Sequence, residues 1–166
     1  MSSSVDGGSA REAHPGRCQH WAITVVASLF ASCSAPPAQN AAPAKPRVAL
    51  VLKTLNSPFF IEMQTGAKAA ADRLGLDLVV QAAEREVDVE KQMQIVENLI
   101  QTGIKALLIT PSGSREIVPV LAKAQAAGIP IIVVDTRIDP AAATAASVKT
   151  ATFIGSDNYE GGRAAG

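Results

Sequence analysis

Histidine and cysteine are nearly missing from this chain of 166 residues: there are two of each, His14, His20, Cys18 and Cys33, all within the first 33 positions. Beyond them no imidazole and no thiol remains to act as base, nucleophile or soft metal ligand. A charge bias is missing too, with 15 basic against 15 acidic side chains. Nucleic-acid binding, which needs a basic face, is therefore not implied. The chain also lacks G-x-G-x-x-G, a P-loop, H-E-x-x-H and G-x-S-x-G, so the dinucleotide, nucleotide, zinc-protease and serine-hydrolase readings fall together. Glu84, Glu86, Asp88 and Glu90 interleave with Arg85 and Lys91. That pattern reads as a solvated loop and helix start, where acids favour the helix dipole, and not as a metal loop. The expectation is a non-enzymatic protein with no cofactor and no metal.

What is present begins with an address. Arg11 and Arg17 precede W-A-I-T-V-V-A-S-L-F-A-S (21–32), a charge-free run about as long as the apolar core of a signal peptide. It is too short to span a bilayer comfortably. L-F-A-S-C (29–33) resembles the lipobox of bacterial lipoproteins, with Phe30 where that family usually has Leu; on that resemblance Cys33 is lipidated and anchors the chain to a membrane. Plain secretion with Cys33 incidental, and a Cys18 to Cys33 disulfide, are the other two readings. Residues 34–46 are rich in Pro and Ala with one charge, a semi-extended tether. The expected location is the cell envelope, outside the cytoplasm.

From residue 47 onward strand and helix periods alternate. Short apolar runs place strands over 48–52, 76–81, 106–110, 130–134 and 151–154. Between them lie helices over 58–74, 87–102 and 114–127, with Pro119 able to move the last start later. Gly75, Gly103 and Gly128 stop these helices. Strands alternating with single helices specify an α/β fold, a parallel sheet with helices on both faces. The organisation is thus 1–33 signal peptide, 34–46 tether, 47–156 folded lobe, and 157–166 the start of something further.

In such sheets ligands bind outside the carboxyl ends of the strands. The first such end, T-L-N-S-P-F-F (54–60), carries two phenyl rings, Phe59 and Phe60, with Ser57 able to cap the helix and Pro58 suited to its first position. The rings are either ordinary core residues or a ligand wall; on the helical wheel Phe60 lies nearer the buried stripe and Phe59 at its edge. Other strand ends supply Thr110 and Ser112, Asp135 and Thr136, and Ser156. A carboxylate after an apolar strand needs a partner. For Asp135 a pair of sugar hydroxyls, an ion pair with Arg137, or a loop cap would serve. Thr110 and Ser112 have loop capping as their alternative role. Convergence on one edge favours a neutral polyol whose C–H face the rings cover.

Residues 47–166 resemble the first lobe of type 1 periplasmic binding proteins, in the ribose-binding-like branch that serves ABC sugar transporters. T-L-N-S-P-F-F, G-I-K-A-L-L-I-T-P (103–111), A-G-I-P-I-I-V-V-D (127–135) and I-G-S-D-N-Y-E-G-G (154–162) carry the resemblance. It implies that Phe59 and Phe60 pack on a sugar, that Asp135 binds hydroxyls, and that Ser156 marks the passage to a second lobe closing by hinge motion. Ser57 and Thr110 stand where ribose binders have Asn, and Thr136 where Arg often follows the aspartate, so the sugar class is implied and ribose itself is not. Arg137, one position later, is not equivalent, since adjacent side chains on extended backbone point to opposite sides. The implied ligand is a monosaccharide or similar polyol and the implied partner an ABC permease. Gly166 falls ten residues past Ser156, so the expectation is a first lobe with a truncated second, binding sugar weakly or not at all alone. A sugar-sensing receptor for a chemoreceptor or histidine kinase, and a lactose-repressor-type regulator, are the alternatives; the latter requires a helix-turn-helix where the apolar segment stands.

Overall fold

The computed structural model describes residues 44–166. Cys33, the apolar run and all but the last residues of the tether lie outside the described residues. Five strands and five helices alternate along the chain: β1 (Arg47–Leu52), α1 (Pro58–Leu74), β2 (Asp77–Ala82), α2 (Val89–Gln101), β3 (Ala106–Ile109), α3 (Val118–Ala126), β4 (Ile131–Val134), α4 (Pro140–Ala145), β5 (Thr152–Ile154) and α5 (Asn158–Ala165). The strands form one sheet in the order β2-β1-β3-β4-β5, and every pairing is parallel. The α/β expectation holds.

The continuous apolar run of β1 fits its central place, buried on both faces from Ala49 to Leu52. Alternate residues face opposite layers. Ala49, Val51, Leu107, Ile109, Ile131 and Val133 pack under α2, α3 and α4 with Val96, Leu99, Leu121 and Ala143. Leu50 and Leu52 pack under α1 with Phe60 and Met63. Helices therefore cover both faces, unevenly.

The helix stops follow the glycines. Gly75 takes φ 66°, which lets the Leu76 amide reach back to the Ala71 carbonyl at 2.9 Å. Ile129 closes onto Ala124 after Gly128 in the same way at 3.0 Å.

Several expectations need correction. Ser57 stands at the N-cap position with extended backbone but its side chain makes no capping bond; the Phe60 and Ile61 amides donate instead to the Ser57 carbonyl, at 3.1 and 3.2 Å. α3 begins at Val118, because Pro119 fits only near a helix start, and residues 114–117 form a turn. Leu74, expected on the buried stripe, is 70% exposed. Seventeen helical residues reach about 25 Å while the six of β1 reach only about 20 Å, so α1 outruns the sheet. α4 was not expected; Asp139 caps it by accepting from the Ala142 amide at 2.7 Å.

Candidate functional site

The carboxyl ends of β1 and β3 lie side by side, and the chain leaves them towards opposite faces, to α1 from β1 and to α3 from β3. This divergence opens a crevice at the sheet edge. Its floor is built by Gln92, which is fully buried on α2. The Gln92 amide donates to the Leu52 carbonyl at 3.4 Å and the Thr110 carbonyl at 2.9 Å, and its oxygen accepts from the Ser112 amide at 2.9 Å. One side chain thus ties two strand ends and the loop after β3. The Ser112 hydroxyl beside it is buried without a partner among the described residues.

The first loop is held from the other side. Thr54, also buried, donates to the Glu84 carbonyl at 3.1 Å, and the Asn56 amide group donates to the same carbonyl at 2.8 Å. These bonds fix the turn from which α1 starts and so set the two rings. Phe60 is 4% exposed and packs with Leu50 and Leu52, whereas Phe59 is 56% exposed. The rings meet edge to face, with centroids 5.2 Å apart. Phe60 is a core residue that steadies Phe59, and Phe59 is the ring presented to solvent.

Thr110 sits at the expected strand end but is fully buried, and its hydroxyl lies 3.8 Å from the Met63 sulfur under α1. The period of two explains this: Leu108, two residues earlier, faces the same layer. Thr110 therefore turns its hydroxyl into the core, and its amide and carbonyl are taken by the Val51 carbonyl and the Gln92 amide.

Asp135 takes φ 62°, a left-handed conformation costly for a residue with a Cβ. Its amide donates to the Ile154 carbonyl at 2.8 Å, and the Thr136 amide donates to the Val134 carbonyl at 2.7 Å. The kink ends the strand alternation and brings Asp135, Thr136 and Ser156 around one hollow of about 570 Å³, lined also by Arg137, Phe153 and Gly155. The Thr136 hydroxyl donates to the Asp135 carboxylate at 3.2 Å. Arg137 does not pair with Asp135; its guanidinium carbon stands 3.7 Å over the Phe153 ring. Although one residue late in sequence, Arg137 lines the hollow, because the kink at Asp135 removes the strict alternation. Gly155 permits the close approach: a Cβ there would lie 2.5 Å from Phe153 Cζ and 3.4 Å from the Asp135 Cα.

Asp135, Thr136 and Ser156 are therefore brought together; Phe59 and Ser57 belong to the same sheet edge, two strands away, and do not line that hollow. Gln92, Phe153 and Gly155 were not singled out from sequence. Gly155 had a signal, a glycine between a strand and a Ser-Asp pair; Gln92 had none, being one polar residue in an amphipathic helix. At the start of α4 Asp139 is held below the usual carboxylate range by the Ala142 amide and then by Arg115, 3.2 Å away. No cluster of potential metal ligands occurs among the described residues.

A family model described as a periplasmic binding protein domain matches residues 48–166. The D-ribose/D-allose-binding protein of Pseudomonas aeruginosa is 40% identical over 148 residues, 87% of this chain and 45% of its own length. The ribose import binding protein RbsB of Bacillus subtilis is 33% identical over 149 residues, 86% of this chain and 46% of its own. The chain spans about half the length of these curated relatives. Among solved structures, a periplasmic solute-binding protein of an ABC transporter from Actinobacillus succinogenes, with bound D-allose, matches with a TM-score of 0.68 at 43% identity, over 71% of this chain and 41% of that one. With the parallel order β2-β1-β3-β4-β5 and a crevice at the strands' carboxyl ends, the chain belongs to the periplasmic binding protein domain family, in its type 1, ribose-binding-like form.

Proposed function

We propose that this chain supplies a ligand-binding lobe to the solute receptor of an ABC sugar importer, and that it takes a monosaccharide or similar polyol at the carboxyl edge of its sheet. The observation that carries the reading is Asp135, a carboxylate without an ion-pair partner among the described residues, held on strained backbone over a polar hollow. Strain of this kind persists only where surrounding structure enforces it and clusters at ligand-binding positions. Two vicinal hydroxyls satisfy a carboxylate without a counter-charge, and Thr136 and Ser156 extend the polar wall. Phe59 supplies the apolar face that covers the C–H side of a sugar ring, with Phe60 behind it. The sugar bound by the Actinobacillus succinogenes protein and the names of the relatives support the ligand class. Cys33, as the acylated first residue of the mature chain, would hold the lobe at the outer face of a membrane beside the permease.

The test is thermal unfolding of the lobe joined after Ser156 to the second lobe of the Pseudomonas aeruginosa relative, against a panel of aldoses and polyols. A ligand present at about 100 times its Kd stabilises by about 2.7 kcal/mol, a readable rise of the midpoint. A rise that Asp135→Asn removes carries the reading; no rise with any member of the panel overturns it.

A further inference from the structure

Two opposite charges share the hollow at the ends of β4 and β5 without meeting. Asp135 and Arg137 both line it, yet neither enters any of the five ion pairs among the described residues. The Asp135 carboxylate accepts one hydrogen bond, from the Thr136 hydroxyl, and keeps lone pairs for more. Asp157, the other acid of the hollow, is engaged as the cap of α5, accepting from the Glu160 amide at 3.0 Å. Arg137 is exposed, and its donors are unused: the arginines that donate to a side chain are Arg47, Arg85, Arg115 and Arg163. A guanidinium beside a carboxylate ordinarily closes on it in a forked pair. Here the surrounding structure holds the two apart.

What holds Arg137 is Phe153. With the guanidinium carbon 3.7 Å above the ring centroid, ordinary van der Waals contact, the planar group faces the ring, because standing on edge would press a nitrogen into it. Its N–H donors therefore lie in its own plane and point sideways, clear of the ring. The ring is placed in turn by Gly155. A Cβ there would stand 2.5 Å from Phe153 Cζ and 2.9 Å from Cε1, so the tip of the ring rests against the Gly155 backbone. The ring thus leans towards the carboxyl end of β5 and carries the guanidinium to the hollow with it. On its other side Arg137 borders a smaller hollow under α4, walled by Val133, Ile138, Ala143 and Val148 and lined by no acid. Nothing there draws the donors away from Asp135.

We infer that Arg137 is a specificity-determining residue of the sugar site, held by Phe153 and Gly155 as positioning residues, so that its guanidinium and the Asp135 carboxylate grip one ligand hydroxyl from two sides. The inference rests on the reading of this edge as the sugar site. A hydroxyl has one hydrogen to donate and two lone pairs to accept with. One that donates to Asp135 still accepts from Arg137, and each bond polarises the other. An ether or carbonyl oxygen accepts but cannot donate, and a C–H group does neither, so the pair selects a ligand that carries a hydroxyl at this point. Keeping the two charges apart in the empty lobe spares the ligand the cost of separating them.

The test is calorimetric titration of the same chimera, the lobe joined after Ser156 to the second lobe of the Pseudomonas aeruginosa relative, with D-allose, D-ribose and any other sugar of the panel that raises its midpoint. Arg137→Met keeps the stem and its contact with the ring but has no donor. It is expected to raise Kd about tenfold or more, while the midpoint of the ligand-free protein stays where it was, as for an exposed side chain. Gly155→Ala, which pushes the ring tip aside, is expected to weaken binding in the same direction. Added to Arg137→Met it weakens binding no further, because the ring acts through the arginine. Arg137→Met that binds as tightly as the parent, or whose loss of affinity only follows a fall of the midpoint, overturns the inference and leaves the sugar site standing. Independent, additive losses overturn the positioning roles of Phe153 and Gly155. A parent chimera that no sugar of the panel stabilises overturns the site itself, and the inference with it.

Discussion

Gln92 holds two strand ends and a loop with one amide group, all of it out of water. A methionine would keep its length and volume but leave the Leu52 and Thr110 carbonyls and the Ser112 amide unpaired. Buried groups stranded in this way cost about 1–3 kcal/mol each, less what relaxation recovers. Gln92→Met is expected to lower stability by about 2–4 kcal/mol in urea unfolding; a change under about 0.5 kcal/mol would mean that water replaces the amide. The two rings split in the opposite sense. Phe60→Ala empties a core site and is expected to cost about 3–5 kcal/mol, while Phe59→Ala leaves stability within about 0.5 kcal/mol and weakens sugar binding. Equal destabilisation by both would contradict the division of labour. That division was legible in the helical wheel. The inward turn of the Thr110 hydroxyl was not, because a side chain's face depends on strand register, and the role of Gln92 was invisible because its partners lie 18 to 40 residues away.

At the scale of the element, the long helices and apolar strands were legible because their glycine stops and buried runs are local signals. α4 was not: six residues, P-A-A-A-T-A, are too few to show a period. Its order comes from outside the pattern. Asp139 caps it, Ser147 takes φ 54° after it, and the Val148 amide returns to the Ala143 carbonyl at 2.8 Å, the closure that glycine makes after α1 and α3. Gln125 on α3 steadies that return by donating to the Ser147 carbonyl at 2.9 Å and accepting from the Lys149 amide. The capping bond makes α4 pH-dependent. The Ala142 amide first, and Arg115 second, lower the folded pKa of Asp139, so the carboxylate binds its proton less readily in the folded chain than in the unfolded one. The stabilisation is complete above the unfolded value of about 3.9 and is lost as pH falls through the lowered folded value. Asp139→Ala is expected to reduce the thermal midpoint at pH 7, and the gap between parent and variant to close as pH is taken below 4. A gap that stays constant to pH 2 would show that the carboxylate's charge contributes nothing.

The whole molecule is lopsided. Beneath α2, α3 and α4 one continuous core joins β1, β3 and β4, is edged by Val79 of β2 and Phe153 of β5, and includes fully buried Val96, Leu107, Ile109, Val120 and Leu121. Beneath α1 the buried cluster is Leu50, Leu52 and Phe60, edged by half-buried Met63, Ala67 and Leu78, and Ile154, which alternates onto the α1 side of the sheet, is 55% exposed. The alternation of strand and helix was enough to expect helices on both faces; the imbalance was not readable, because it depends on the strand order, which makes β2 an edge strand and sends one crossover to one side and the rest to the other. Local stability should follow the imbalance, since opening free energy tracks the apolar surface an element buries. In native-state hydrogen exchange with increasing denaturant, the amides of α1 are expected to exchange by a sub-global opening at lower free energy than those of α2, β1 and β3. α5, with no buried residue, should exchange fastest of the helices, because eight residues without packing form a marginal helix. The opening of α1 would swing Phe59 and Phe60 off the sheet edge while leaving Asp135 and the Gln92 bonds in place. If instead α1 exchanges only with global unfolding, the small cluster around Phe60 carries more cohesion than its buried area implies, and Phe59 is held as rigidly as Asp135 two strands away.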